Sequence, residues 1–164
     1  MKKILPALAL VLVAGITTWF MWRPVQAAPD VTFSTIDGRT FTMQDLRGKV
    51  VLVKFWATSC VTCVKQMPDN ISHYEAYASK GYETIAVAMQ YDPANYVLNF
   101  AQTRQLPFPV ALDSQGKIAL AFDDVRLTPT AFLIDKQGNI IKRYLGDYDK
   151  AQFQATVEKA LAAG

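Results

Sequence analysis

The chain alternates between short, dense apolar runs and longer stretches whose apolar residues recur every three or four positions. "KVVLVKFWA", from Lys49, and "YETIAVAMQ", from Tyr82, are β-branched runs of a length suited to buried strands. Between them, Val61 to Lys80 carries helical spacing and stops at Gly81, a normal residue for a helix end. "PANYVLNFAQTR" opens with Pro and continues as a second helix; "FPVALD" reads as a further strand, and a turn at Asp113 to Gly116 leads into a short helix at 117–122. "TAFLID", the "KQGN" turn and "IIKRYLG" predict a β-hairpin, and Phe153, Val157 and Leu161 place an apolar stripe on a last helix over 149–163. Ahead of these, "VTFSTI", Asp37-Gly38 and "RTFTMQDL" predict a small hairpin extension. Strand, helix, strand, then helix, hairpin, helix is the order of an α/β sandwich of three layers.

At 164 residues and 51% hydrophobic, the chain is long enough for one domain with a proper core and needs no disulfide framework. The N-terminus stands apart from that domain. Met1-Lys2-Lys3 is basic, and residues 4–22 form an uncharged, mostly apolar run whose length suits a membrane span better than a cleavable signal core. Trp19 and Trp22, followed by Arg23, resemble an interfacial belt and its flank. Residues 1–28 are therefore expected to be an inner-membrane anchor with its linker, and residues 29–164 a domain exported to the periplasm. "VQA" at 25–27 leaves open a cleaved signal and a soluble periplasmic domain. Lys2, Lys3 and Arg23 account for the formal charge of +3, so the exported part is neutral and shows no basic patch for nucleic acid.

The chemistry concentrates in "FWATSCVTCVKQMP", which holds both cysteines of the chain, Cys60 and Cys63. A parallel strand delivers its following residues at the carboxyl edge of the sheet, where such folds place their sites. Cys60 then falls at the first turn of the next helix, where free backbone N–H groups and the helix dipole favour a thiolate. Cys63, three residues on, shares that face and lies within disulfide reach. Attack by Cys60 on a substrate disulfide and release by Cys63 is the expected exchange, with Cys60 exposed and Cys63 more buried. A closed zinc site needs four ligands, more than two Cys and His73, the single His, provide. A purely structural disulfide would close too short a loop to gain much. Copper(I) suits two thiolates, so a thiol-based copper carrier is the alternative of another class. His73, ten residues past Cys63 along the helix, is expected at the surface and not as a third ligand.

The order of elements, "KFWATSCVTC" running off a strand into a helix, and "LTPTAFLID" further on together resemble a thioredoxin-fold protein. The chain is most similar to the membrane-anchored TlpA/ResA-like thiol-disulfide oxidoreductases over about residues 30–163. That resemblance implies a thioredoxin-like sandwich with a central mixed sheet, and a cis bond before Pro129 facing the dithiol. It also implies that Thr128 offers its backbone to an extended substrate. The implied partners are protein thiols and disulfides and a transmembrane thiol donor, in cytochrome c maturation or copper-centre assembly. A monomer without a cofactor is expected. A peroxiredoxin-like peroxidase shares the fold, but that family looks for a Thr three residues before its reactive Cys, where this chain has Ala57.

Departures from the family pattern are informative. The residue before the first cysteine is commonly Trp and here is Ser59; the Glu that ResA-like members carry three residues after the second is here Gln66, which cannot take a proton at neutral pH. Where thioredoxins bury an Asp, six residues before the first Cys, this chain has Lys54, sharing a strand face with Leu52 and Trp56. Two readings stand for Lys54: a stem packed on apolar neighbours with its ammonium reaching water, or a group approaching the dithiol from beneath and acting on its protons. Val61 and Thr62 carry no charge, which tilts the pair toward a reductant.

Overall fold

The computed structural model describes residues 25–163, so the apolar run at 4–22 and the anchor expected of it lie outside the described residues. In chain order the elements are β1 (Thr32–Ser34), β2 (Thr40–Thr42), β3 (Val50–Trp56), α1 (Val61–Tyr77), β4 (Tyr82–Ala88) and α2 (Ala94–Thr103). There follow β5 (Val110–Leu112), α3 (Lys117–Ala121), β6 (Thr130–Ile134), β7 (Ile140–Leu145) and α4 (Lys150–Ala162). A five-stranded sheet has the order β5-β4-β3-β6-β7. Its β3-β4-β5 half is parallel and its β3-β6-β7 half antiparallel, giving the mixed sheet the resemblance implied.

Strand β3 lies at the centre with every residue buried, which is why it reads as an apolar run interrupted only by Lys54. Alternation sends Val51, Val53 and Phe55 into one layer with Phe33, Ile85, Val87, Phe122 and Phe132. Leu52 and Trp56 point the other way, into clusters completed by Cys63 and Met67 of α1, Val97 of α2, and Phe153 and Val157 of α4. One face is thus covered by α1, α2 and α4, the other by α3 and the β1-β2 hairpin. Thr35 bridges Ala111, and the Ile36 N–H donates to Val110 O at 2.9 Å, so the hairpin also shields the β5 edge of the sheet.

Helix α1 contains Pro68 and gives way at Tyr77 to a tighter turn, which ends at Gly81 with φ of 90°. Its buried stripe is Cys63, Gln66, Met67, Asn70, His73 and Tyr77. His73 is therefore not at the surface: it is 2% exposed, its ring 4.8 Å from that of Phe153, and among the described residues both ring nitrogens lack hydrogen-bond partners. Spacing of three and four residues from Cys63 carries His73 onto the same inward face, and face, not distance along the axis, decides burial. Burial first, then the Lys150 ammonium, push its imidazole pKa down.

Short α3 is held by a buried acid before it. Asp113 accepts from Ile118 N at 3.0 Å and Ala119 N at 2.8 Å. Asp113→Ala leaves both donors without their partner and is expected to lower the unfolding free energy by about 2 kcal/mol in urea melts, the range for a lost helix cap. A loss of under a few tenths would mean that water replaces the cap.

Candidate active site

Strand β3 runs out at the carboxyl edge of the sheet between β4 and β6, and a turn over 57–59 carries the chain into α1. Cys60 is the N-cap residue of that helix, with extended backbone (φ −85°, ψ 102°), and its Sγ accepts from the Cys63 N–H at 3.2 Å. Cys60 and Cys63 form a disulfide with Cα atoms 5.2 Å apart. Cys63 is 0% exposed, whereas Cys60 is half-buried between exposed Ser59 and Val61. Only the first sulfur is open to a macromolecular disulfide, and once freed it lies where a helix N-terminus favours a thiolate.

A second wall comes from β6. Its register sets Thr130 beside Phe55, so Thr128 and Pro129 continue at the sheet edge from which the dithiol turn departs. The Thr128–Pro129 peptide is cis, as the resemblance implied. Pro129 O accepts from Gly146 N at 2.8 Å, and Thr130 Oγ1 donates to Leu127 O at 2.7 Å, so this wall is tied at both ends.

Lys54 lies beneath. It is 1% exposed, which corrects the reading that its ammonium reaches water. Two side chains of α1 close over it: Nζ donates to Gln66 Oε1 at 2.7 Å and approaches Asn70 Oδ1 at 3.4 Å. The Tyr148 ring centroid is 5.5 Å from Nζ. Burial pushes the Lys54 ammonium down to about 7, opposed by the charges of Asp147 and Asp69. Gln66 is one helical turn past Cys63, so Lys54 meets α1 at the turn next to that cysteine.

Gln66 also reaches outward. Its Nε2 donates to Gly146 O at 3.2 Å and to Asp147 Oδ1 at 2.8 Å. That amide bond is the main cause holding the Asp147 carboxyl below the usual range. The carboxylate missing from the local sequence is thus present across the fold, joined to the buried cation by an amide that cannot itself carry a proton. Asp147, Asn70 and Tyr148 were not foreseen; the i+7 spacing of Asn70 from Cys63 was the one available signal. Asp92 was missed as well, and it accepts from both the Thr58 N–H and hydroxyl, each at 2.6 Å. Among the described residues no group of three or more His, Cys, Asp or Glu is arranged to hold a metal ion.

A family model described as Redoxin matches residues 24–161. The chain belongs to the Redoxin family. Within the family, the thiol-disulfide oxidoreductase ResA of Bacillus anthracis is 38% identical over 133 residues, covering 80% of this chain and 75% of that protein. A thiol:disulfide interchange protein of the thioredoxin family from Chlorobium tepidum superposes with a TM-score of 0.78 at 29% identity, covering 85% of this chain and 99% of that one. The exposed lipoprotein thioredoxin of Streptococcus pneumoniae superposes with a TM-score of 0.70 at 27% identity, covering 79% and 98% of the two chains. This Redoxin-family chain is a ResA-like thiol-disulfide oxidoreductase with a thioredoxin fold.

Proposed function

We propose that residues 29–164 form an exported domain, held at the inner membrane by residues 1–28, that reduces protein disulfides in the periplasm. The observation that carries the reading is the asymmetry of the dithiol, with Cys60 reachable at the helix start and Cys63 fully buried behind it. The Cys60 thiolate attacks one sulfur of the substrate disulfide, forming a mixed disulfide and releasing the other substrate sulfur as a thiolate. Cys63 loses its proton and attacks the Cys60 sulfur; the Cys60–Cys63 disulfide forms, the second substrate thiol leaves, and two electrons have passed to the substrate. A transmembrane thiol donor returns the pair to its reduced state. Thr128 and Pro129 form the edge against which an extended substrate lies. Such a monomeric reductant suits cytochrome c maturation or copper-centre assembly, and the exposed lipoprotein relative supports a site of action outside the cytoplasm.

Lys54 serves the second step. When protonated it favours the Cys63 thiolate, and when neutral it receives the proton that Cys63 gives up; a group poised near 7 does both. The direction of electron flow is tested by equilibrating the Cys60/Cys63 pair with a thiol-disulfide buffer. A potential near the thioredoxin level of about −270 mV, with reduction of insulin disulfides, is expected. A value near about −120 mV would make the protein an oxidant. Tight copper(I) binding without reductase activity would favour the carrier reading instead.

A further inference from the structure

The loop that follows β4 touches both walls of the site with consecutive residues. Asp92 is 8% exposed, and its carboxylate is committed to Thr58, two residues before Cys60: Oδ2 accepts the backbone N–H and Oδ1 the hydroxyl. No cation forms an ion pair with Asp92 among the described residues. A buried carboxylate is costly, and these two bonds are what compensate it. The loop is itself fastened to the end of β3, since Met89 N–H donates to Trp56 O at 3.0 Å and Asp92 N–H to Met89 O at 2.9 Å. Next door, the Tyr91 hydroxyl lies 3.3 Å from Thr128 Oγ1, the residue before the cis proline. Tyr91 is 54% exposed, and beside its contact with Thr128 it lines a hollow of about 330 Å³ with Leu120 and Arg126.

We propose that Tyr91 and Asp92 are positioning residues for disulfide exchange, which together set the gap between the Cys60 sulfur and the Thr128 edge. Asp92 acts through Thr58 on the turn that presents the nucleophile; Tyr91 acts through Thr128 on the edge that aligns the substrate chain. Attack on a disulfide needs three sulfurs nearly in line, and a misplacement of about 1 Å can cost about 10²-fold in rate. Two adjacent residues on one short loop keep both walls in a single frame. The inference rests on exchange at Cys60 but not on its direction.

The test is the rate at which the reduced protein attacks a small aromatic disulfide and an extended peptide disulfide, each followed to saturation and accompanied by a melting temperature. Asp92→Ala is expected to slow the saturated attack on both substrates by about tenfold or more. Asp92→Asn can accept the Thr58 N–H and donate to its hydroxyl, so it is expected to recover most of that rate. Tyr91→Phe is expected to raise the half-saturating peptide concentration about threefold, more than it does for the small disulfide. Thr58→Val, which loses the hydroxyl bond alone, is expected to fall between Asp92→Asn and Asp92→Ala and replaces the latter if that variant does not fold. Wild-type rates in Asp92→Ala or, in its stead, Thr58→Val would overturn the proposal. So would Asp92→Asn as slow as Asp92→Ala, losses that merely track melting temperature, or equal effects of Tyr91→Phe on the two substrates. A wild-type protein inert toward both disulfides would instead remove the exchange reading on which this one stands.

Discussion

Lys54→Met is expected to make the protein more stable at pH 7, by about 1–3 kcal/mol, and to remove a rise in stability that the wild type shows on the alkaline side. The folded state holds the Lys54 ammonium at about 7, against an ordinary value of 10.5. Between those limits the unfolded chain keeps a proton that the native state releases, so the Lys54 contribution to wild-type stability rises with pH across the window and levels off above it. Below about 7 the full penalty of the buried charge is present. Taken alone, a displacement from 10.5 to about 7 corresponds to at most ~5 kcal/mol. Met removes that penalty but leaves the oxygens of Gln66 and Asn70 without their donor, at about 1 kcal/mol each, which sets the smaller net gain. Burial pushes the Tyr148 hydroxyl over the same pocket above its ordinary 10.0, so its own contribution, a loss of stability as pH rises, begins only near pH 10, at the top of the window. Urea melts at pH 7 and pH 10 check the result: a destabilised variant, or one keeping the alkaline rise, contradicts it. The same variant tests chemistry, because without the cation the Cys63 thiolate is expected to form only at higher pH; an unchanged titration would remove Lys54 from proton handling.

Lys54 also shows where sequence stops informing. Strand alternation placed it correctly on the face with Leu52 and Trp56, because a period of two is a local property of the chain. Whether its ammonium reached water depended on what covered that face, and the cover is Gln66 and Asn70, 12 and 16 residues away on another element. His73 failed differently. Its spacing from Cys63 was read as a distance along a helix, while the stripe from Cys63 through Asn70 to Tyr77 carried it inward. The elements, the dithiol at the start of α1 and the Thr-Pro ahead of β6 were legible from runs, turns and motif. Contacts between Asp92 and Thr58, at a separation of 34, and between Gln66 and Asp147, at 81, leave no periodic trace. They exist because the sheet brings the ends of β3, β4 and β7 to one neighbourhood, so the electrostatics of the site are a product of topology.

Two cysteine variants are expected to fail in opposite ways. Cys60→Ser is expected to lose disulfide exchange by at least about 10³-fold, since the remaining thiol at position 63 is wholly buried and no macromolecular disulfide can align with it. Cys63→Ser keeps the accessible nucleophile and is expected to react once and stop, accumulating one mixed disulfide per protein that added thiol releases. Mass spectrometry of each variant after incubation with a peptide disulfide separates the outcomes: no adduct for the first, a stoichiometric adduct for the second. The physical point is that attack and release require different surroundings. Attack needs a sulfur open to a large partner at a helix N-terminus, where N–H groups hold its charge. Release needs a second sulfur close to the first and shielded from every other disulfide, so that it resolves the adduct before anything else reaches it. An adduct in Cys60→Ser, or turnover in Cys63→Ser, would mean that the burial of Cys63 does not divide the labour and that the second sulfur becomes accessible once the pair is reduced.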